Sequence, residues 1–539
     1  MKLKNIFSAV AAAAMLTACV GDLNTIPLNE TDVTSETAYG ADEAGYVQGL
    51  TKIYFQLVSN NTQDLQVADG GASEFIRAFW STQEVTADAA KCAWGDAWVN
   101  DLNNNTWKGD VLNDAVYAVY VRTLQGITYV NEYLRQTSDA NLDLRGCSAD
   151  VKAKVQEYRA EARFLRAFFY WAAMDTFGQV PFSTEHTQFG GGYNPPQAPA
   201  AEIFDFIVSE LKDLASDGSA MPAAQSNYPR ADKGSVLGLL ARVYLNAEVY
   251  TGTAMWAEAK ATCENIYSLG YALAPTHAEL FRGDNGENPD AKKEMLFAAS
   301  YNAEHTQSYG GTTYLTLSTL SGDDGAVNII GINGGWAGNR VPDHYVQTYF
   351  APTAADFATG DYTIADKRAY FYIKGRSQSM QDNLNTFLNG WSCIKFNNVP
   401  HDKEAVDYAA TAATKNFSDI DWPLIRLGEI HLIYAEACMH AGGDASAQVA
   451  ALAQRAGVAA PKTIDADFLM AERARELMWE AHRRTDLIRY GKWISGYNWT
   501  YKGGNFGGQD LPEHFNVFPV PSTELATNLD LDQNPGYAR

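Results

Sequence analysis

The sequence predicts a mainly α-helical protein, in which tetratricopeptide-like helix pairs form a scaffold and a large irregular segment is inserted between them. Apolar residues recur at three- and four-residue steps through most of the chain outside 272–422, which is the pattern of amphipathic helices. Two stretches, 232–269 and 425–457, each consist of a helical pattern, a short turn with glycine and a second helical pattern. Between them, 272–422 has no helical period and is rich in glycine and aromatic residues.

Composition excludes several classes of function. The chain has 539 residues, of which 46% are hydrophobic and 12% aromatic, enough for a large core. A formal charge of −23 argues against nucleic acid as a partner and against a basic patch that binds anionic lipid. Six cysteines occur without a C-x-x-C motif, so neither a zinc site nor a disulfide scaffold is indicated, although one incidental bridge stays open.

The first 37 residues are predicted to be a targeting segment and a tether. Lys2 and Lys4 precede an apolar run over 6–16 that is too short for a permanent membrane span. The run ends Leu16-Thr17-Ala18-Cys19, the lipobox pattern of bacterial lipoproteins. We therefore expect a signal peptide over 1–18, a lipid on Cys19 and a tether over 19–37, so that the protein is anchored to a membrane and not embedded in it.

Helical periodicity in the first half of the chain predicts four helices, over 43–58, 110–136, 149–177 and 201–215. Gly178, with Pro181 beyond it, is a typical end for the third. The stretch 75–107 has no clean period, although it carries five large aromatic residues, and it is predicted to be a surface loop region. Those aromatic residues are Phe79, Trp80, Trp94, Trp98 and Trp107.

The two helical hairpins are predicted at 232–269 and 425–457. In the first, Thr251-Gly252-Thr253 separates the arms, and in the second Gly442-Gly443-Asp444 does so. Units of roughly 34 residues are typical of tetratricopeptide repeats, which favours a binding or scaffold function.

The stretch 466–493 is predicted to be one continuous helix that ends near Gly491. Its basic residues before that glycine are all arginine, and arginine suits bidentate carboxylate pairing in partly buried places. Glu480 precedes Arg484 by four residues, a spacing at which opposite charges pair on one helix. A structural helix held by ion pairs is the expected role.

Several motifs resemble the SusD/RagB family of outer-membrane glycan-binding lipoproteins. The pattern R-E-L-x-x-E-x-x-R-R-x-D-L-x-R-x-G spans Arg475–Gly491, and E-A-R-F-L-R-A-F-F-Y-W starts at Glu161. W-P-L-I-R-L-G-E-I-H-L-I-Y-A-E-A starts at Trp422, F-P-V-P-S-x-E-L at Phe518 and Q-N-P-G-Y at Gln533. The chain is similar in particular to the starch-binding members.

The resemblance implies an architecture and a partner. Four tetratricopeptide-like units would form the scaffold, with an N-terminal region over 38–271, an inserted ligand-binding subdomain over 272–422 and a C-terminal region over 423–539. The lipid anchor would hold the protein on the outer membrane, facing the outside of the cell. There it would capture starch or maltooligosaccharides and deliver them to a TonB-dependent transporter of the SusC type.

The resemblance also implies a binding site built on an arc of aromatic residues, namely Trp94, Tyr309 and Trp336. The last of these follows Asn333-Gly334-Gly335, which is one glycine more than the family's N-G-W motif. A flat ring covers the apolar face of a pyranose, while charged and amide groups satisfy its hydroxyls.

Two kinds of polar contact complete the implied site. Arg77 matches an arginine that hydrogen-bonds sugar hydroxyls in the family. Ala97 stands where the family has an amide, so Asp96 or Asn100 would have to replace it.

A calcium site is the remaining implication. Asp284, Gly286, Asp419 and Asp421 resemble a calcium site of the starch-binding members, with Gly286 where the relative has an acid. Hard cations take carboxylate and carbonyl oxygens as ligands. The alternative is a solvated acidic loop, and no cofactor is required.

An enzyme is not expected. The sequence has no G-x-S-x-G, H-E-x-x-H, G-x-x-x-x-G-K-[ST] or G-x-G-x-x-G motif. Carboxylate pairs are inevitable among 64 acidic residues and carry no information alone. Two other possibilities stay open: a family member that binds a different glycan or peptides, and a purely structural surface protein.

Overall fold

A computed structural model of the protein describes residues 38–60, 65, 67, 70–188, 194–411 and 415–539. The expected signal peptide, the tether and the lipidation site Cys19 lie outside the described residues. Within the described part, no helix is both long enough and apolar enough to span a membrane.

The N-terminal region is helical. Its α-helices are α1 Glu43–Val58, α2 Phe75–Trp80, α3 Ala97–Asn104, α4 Asp114–Gln136, α5 Asp139–Leu144, α6 Ala149–Phe177, α7 Ala200–Ala215, α8 Lys233–Leu245, α9 Ala247–Thr251 and α10 Trp256–Tyr267. Three short strands accompany them, β1 Lys91–Cys92, β2 Val180–Pro181 and β3 Gln197–Ala198.

The inserted region consists of short elements. Its helices are α11 Pro289–Glu294, α12 Gly311–Leu317, α13 Val327–Ile330, α14 Asp343–Tyr349 and α15 Ala405–Ala409. Its strands are β4 Met295–Ala299, β5 Asn339–Arg340, β6 Ala354–Asp356, β7 Asp361–Thr363, β8 Phe371–Tyr372 and β9 Ser392–Cys393.

The C-terminal region returns to helices. It contains β10 Trp422–Arg426 and then α16 Leu427–Ala441, α17 Ser446–Ala456, α18 Ala466–Glu476, α19 Arg483–Arg489 and α20 Ser522–Thr527.

The mainly helical prediction is confirmed, and the periodic segments become helices close to the predicted bounds. Helix α6 covers Ala149–Phe177, as predicted; the Ser148 hydroxyl accepts a hydrogen bond from the Val151 N–H at its start, and Gly178 follows its end at φ 73°. Neighbouring helices pack in sequence, α4 on α6, α6 on α7, α8 on α10, α10 on α16, and α16 on α17 and α18. They form the frame that the tetratricopeptide-like pattern predicts.

The inserted region is fastened to this frame by a two-stranded antiparallel pair. Strand β4 pairs with β10, so that Trp422 lies opposite Ala299 and Arg426 opposite Met295. One hydrophobic cluster contains buried residues from the N-terminal, inserted and C-terminal regions, from Tyr46 to Leu531. The irregular segment is therefore packed into the core of the frame.

The prediction of a surface loop region over 75–107 is wrong. This stretch forms α2, a single π-helical turn over Ser81–Val85, β1 and α3, and almost all of it is buried. Trp80 and Trp107 are at most 2% exposed. The sequence lacks an amphipathic pattern here because α2 and the π-helical turn are buried on all sides. Neither has a solvent-exposed face on which polar residues would recur.

The prediction of one continuous helix over 466–493 is also wrong. The chain leaves the helical path between α18 and α19, where Trp479 and Ala481 adopt φ values of 64° and 61°. Left-handed backbone is costly for residues with a Cβ, and it persists only when the surroundings fix it. Here the Trp479 indole N–H donates to the Ala89 carbonyl at 2.9 Å, and its ring packs on Trp80.

The break redirects Glu480, which does not pair with Arg484 as predicted. Its carboxylate binds Arg426 of β10 at 2.7 Å and Lys395 at 2.6 Å, and all three side chains are at most 1% exposed. Arg426 also binds Glu294 and Glu476. Arg484 instead donates to the carbonyl of Asn516 at 2.8 Å. The expected structural role of ion pairs is confirmed, but these pairs join separate segments and do not follow one helix.

Candidate functional site

Three chain segments meet to place the predicted aromatic residues. Strands β1 and β5 are antiparallel, with Cys92 opposite Asn339, and the Ala93 N–H donates to the Gly338 carbonyl at 2.8 Å. Trp94 directly follows Ala93 on one side of this pair, and Trp336 stands two residues before Gly338 on the other. The third segment, which carries Tyr309, leads directly into α12.

Tyr309 and Trp336 lie against each other on the surface, and Phe417 joins them. The ring centroids of Tyr309 and Trp336 are 5.8 Å apart and their planes differ by 60°. The centroids of Tyr309 and Phe417 are 5.2 Å apart, with a tilt of 42°. Tyr309 is 54% exposed, while Trp336 and Phe417 are half-buried. We refer to Trp94, Tyr309, Trp336 and Phe417 as the aromatic site.

The extra glycine before Trp336 has a steric function. Gly334 and Gly335 have φ values of 97° and 141°, and a Cβ at Gly335 would lie 2.7 Å from the Leu320 carbonyl oxygen. This close turn lets the Trp336 N–H donate to the Leu317 carbonyl at 2.8 Å. The turn fixes Trp336 beside Tyr309.

Trp94 is held from several sides. Its ring meets that of Tyr314 edge-on at 5.8 Å, and a Cβ at Gly338 would come within 2.5 Å of its Nε1. Gly338, at φ 113°, is the residue that leaves room for the indole. Trp94 is half-buried.

Arg77 does not occupy the predicted position of a direct sugar contact. Its guanidinium carbon lies 4.4 Å from the Tyr314 ring centroid and 5.3 Å from that of Trp94, and the residue is 2% exposed. A guanidinium covered by two rings does not face a ligand in solvent. Arg77 supports Trp94 and Tyr314 from behind through cation–π contacts.

The two candidates for the missing amide differ in exposure. Asp96 is exposed just before α3. Asn100 is half-buried; its amide donates to the Gly95 carbonyl at 3.2 Å, and its side-chain oxygen accepts from Asn385 at 3.4 Å. Asp96 is therefore the better placed of the two for a ligand hydroxyl.

A buried carboxyl, Glu74, lies beneath the segment that carries Tyr309. It accepts hydrogen bonds from the hydroxyls of Tyr301 and Ser308, and a Cβ at Gly310 would lie 2.5 Å from its Oε2. Burial raises its pKa to about 7, opposed by the Ser308 and Tyr301 hydrogen bonds and by the charges of Arg122 and Arg77.

This raised pKa predicts a pH-dependent stability. Because the pKa of Glu74 is higher in the folded than in the unfolded protein, its stabilising contribution is complete below its unfolded pKa and is lost as pH rises through about 7. Glu74→Gln keeps the shape but cannot ionise. We expect the variant to gain stability relative to the wild type by roughly 2–3 kcal/mol between pH 5 and pH 8, measured by urea unfolding at both pH values. Parallel pH profiles of the two proteins would contradict this assignment.

Among the described residues, the carboxylates of the expected calcium site, Asp284, Asp419 and Asp421, do not form one cluster of metal-ligating oxygens, although Gly286 lies beside Asp421. The Asp421 carboxylate is buried and accepts from the Tyr228 hydroxyl at 2.6 Å and the Tyr301 N–H at 2.8 Å. Asp419 accepts from the Ala303 N–H at 3.0 Å and from Lys415. A Cβ at Gly286 would lie 2.5 Å from the Asp421 Oδ2, so no acid fits there without a shift. Asp284 contacts His401 at 2.5 Å instead.

Sequence reasoning missed two parts of the site. Phe417 stands two residues before Asp419, the first member of the acidic pair that the family resemblance singles out. Tyr314, in α12, is 1% exposed and is the ring that both Arg77 and Trp94 contact. Both positions are aromatic in the sequence, but the residues that they contact are distant in the chain, so the sequence does not indicate these contacts.

Comparison with known proteins agrees with the motifs. Residues 271–537 match the model of the SusD family, and residues 56–245 match a family described as starch-binding and associating with the outer membrane. The starch-binding protein SusD of Bacteroides thetaiotaomicron is 30% identical over 99% of both chains. The SusD-like protein P2 of Formosa agariphila is 26% identical, over 88% of this chain and 93% of the relative.

Solved structures share the fold. A SusD superfamily protein from Parabacteroides distasonis matches with a TM-score of 0.69 at 21% identity, over 94% of this chain and all of that one. Surface glycan-binding protein A from Bacteroides thetaiotaomicron, solved with laminarihexaose, matches with a TM-score of 0.68 at 18% identity, over 91% of this chain and 99% of that one. Two family models that together span most of the chain, and a relative matched from end to end, make the assignment secure. The chain belongs to the SusD family of outer-membrane-associated surface proteins, which bind carbohydrate and are not enzymes.

Proposed function

We propose that the protein captures starch and maltooligosaccharides, chains of α-1,4-linked glucose, on the aromatic site. The observation that carries this proposal is the angle between the rings: Trp336 and Phe417 are tilted by 60° and 42° from Tyr309. Rings set at such angles form a curved surface, which suits a helical glucan better than a straight one. The full-length match to a relative named as starch-binding supports the same choice.

The chemistry of the site favours binding without reaction. Each ring offers an apolar face to a pyranose, and Asp96 offers a carboxylate to its hydroxyls. A different glycan is the second candidate, since a structural neighbour was solved with laminarihexaose, a β-linked glucan. At 18% identity that neighbour supports the shared fold and not the choice of sugar.

Calorimetry with matched oligosaccharides tests the proposal. We expect maltoheptaose to bind and a β-linked glucan of equal length to bind at least tenfold more weakly. If only the β-linked chain binds, the ligand is another glycan and not starch. Equal binding of both chains would overturn the α-glucan specificity. Absence of binding to either, with the protein folded, would refute the aromatic site as a glucan site.

We further propose that the protein delivers its ligand to a TonB-dependent transporter of the SusC type. A lipid-anchored binding protein concentrates a polymer at the cell surface but has no route across the outer membrane, so it needs a transporter beside it. Co-purification of the native complex from outer membranes tests this. Recovery of the protein without any barrel partner under mild detergent would count against it.

The lipid anchor gives a separate prediction. Cys19→Ala removes the thiol that the lipobox predicts to be acylated. We expect metabolic labelling with a fatty-acid analogue to mark the wild type and not the variant, and the variant to appear in the soluble fraction. Cys438→Ala, at a buried thiol in α16, is the matched control and should keep the label. Label that persists on the Cys19 variant would refute the assignment.

A further inference from the structure

A second cleft, separate in its residues from the aromatic site, lies in the inserted and C-terminal regions. It has a volume of about 380 Å³ and opens between α14, the segment after β8 and the segment 498–507. Its lining combines one exposed phenyl ring, Phe506, with the polar side chains of Asp343, His344 and Gln378. The volume falls in the range of small-ligand pockets.

Phe506 is presented by a closed turn. Gly503, Gly504 and Gly508 have φ values of 64°, 79° and 76°, and the Gly508 N–H donates to the Asn505 carbonyl at 2.8 Å. The phenyl ring is 37% exposed and meets Tyr501 edge-on at 5.7 Å. Like Tyr309, Phe506 exposes part of its ring, and the apolar face of a ligand can pack on it.

The polar groups beside Phe506 are held in place but keep hydrogen-bonding capacity. Oδ1 of Asp343 accepts from Gln378 at 2.9 Å and from the Trp391 indole at 3.0 Å, and Nε2 of His344 lies 3.2 Å from the Tyr497 hydroxyl. Oδ2 of Asp343 and Nδ1 of His344 have no hydrogen-bond partner in the part of the chain that the structure describes. A carboxylate oxygen and an imidazole nitrogen are thus left for ligand hydroxyls.

A third observation concerns Trp499, which lines the same cleft and is 1% exposed. Its ring packs on Trp493 at 5.3 Å and under the Lys502 ammonium at 4.4 Å. The indole N–H finds no acceptor among the described residues. Buried donors are rarely left without a partner, which makes Trp499 a useful reporter on this wall of the cleft.

We propose that this cleft is a second carbohydrate site, which takes a pyranose unit of a glucan. The sugar's apolar face covers Phe506, and its hydroxyls meet Asp343 and His344. The proposal rests on the proposed glucan specificity for the choice of sugar, but it uses none of the residues of the aromatic site.

One chain segment connects the two sites. Gln378 and Met380 line the cleft, and five residues later Asn385 donates to the Ala93 carbonyl at 3.1 Å, beside Trp94. Arg340 fastens this segment by donating to the Leu384 and Asn389 carbonyls. The segment 378–385 therefore contacts both the cleft and the backbone beside Trp94.

Fluorine NMR on protein labelled with 5-fluorotryptophan separates the two sites. The fluorine signals of Trp499 and Trp336, assigned from single Trp→Phe variants, report on the cleft and on the aromatic site. We expect maltoheptaose to shift both signals. Phe506→Ala should weaken the Trp499 response about tenfold, because one exposed aromatic contact is lost, and leave the Trp336 response unchanged. Phe55→Ala, at a 43% exposed ring in α1, is the matched control and should alter neither response.

The outcomes distinguish this inference from the proposed function. A response of Trp336 without one of Trp499 overturns the second site and leaves the proposed function standing. A response of Trp499 alone supports the cleft and overturns the aromatic site. If Phe506→Ala does not weaken the Trp499 shift, the shift does not arise from ligand in the cleft, and the second site is overturned. If neither signal responds to maltoheptaose or laminarihexaose, both proposals are wrong.

Discussion

Glu480→Ala is expected to destabilise the protein by roughly 3–5 kcal/mol, the usual range when one partner of a buried ion pair is removed. The variant leaves two buried cations, Arg426 and Lys395, without the carboxylate that binds both at 2.6–2.7 Å. Burial already lowers the pKa of Lys395, with Glu480 opposing that shift. Without Glu480, keeping Lys395 charged costs more still.

The measurement is the free energy of unfolding, compared with two controls. Glu480→Gln keeps volume and one acceptor, and should lose less than Glu480→Ala. Glu132→Ala removes a carboxylate whose pairing with Arg135 is half-exposed, and should change stability by less than about 1 kcal/mol. Affinity of the folded fraction for maltoheptaose should stay at the wild-type value, since Glu480 lies in the core. An unfolding free energy equal to the wild type would mean that the two cations find other partners.

The fold could be predicted where a helix has one buried face and one solvent-exposed face. Helix α7 shows this: Ile203, Ile207 and Leu211 lie on a buried stripe with exposed polar positions between them, and the observed bounds Ala200–Ala215 lie within one residue of the predicted 201–215. The stretch 75–107 was predicted wrongly because burial on all sides removes the pattern. The interruption at Trp479 was also invisible, since it is imposed by Trp80, Ala89 and Arg426, which lie far away in the chain.

The candidate site was predictable in its residue types and not in their roles. Tyr309 and Trp336 follow from motifs and indeed lie 5.8 Å apart. Arg77 has the right chemistry for sugar hydroxyls, but whether a guanidinium faces solvent or lies under Trp94 depends on packing among distant segments. Asp421 likewise has a suitable residue type for a calcium ligand, but its carboxylate accepts hydrogen bonds from the Tyr228 hydroxyl and the Tyr301 N–H.

The second large effect is expected on glucan affinity, when residues of the aromatic site are substituted. Tyr309→Ala is expected to weaken maltoheptaose binding about thirtyfold, because truncating a central aromatic contact commonly costs about 2 kcal/mol. Tyr309 is 54% exposed, so the melting temperature should not change. Tyr309→Phe keeps the ring and should bind nearly as the wild type, while Phe55→Ala controls for loss of an exposed ring elsewhere.

Trp336 and Trp94 should behave differently from Tyr309, and the difference tests the geometry. Trp336→Ala should lose affinity to a similar degree but also some stability, because its ring packs on the buried cluster of Leu317 and Leu320. Trp94→Ala uncovers Arg77 and Tyr314, so its melting temperature should fall further. The double variant of Tyr309 and Trp336 should lose less than the sum of the two single losses, since the rings contact each other and share the ligand. Wild-type affinity in that double variant, measured by calorimetry, would show that the glucan binds elsewhere on the protein.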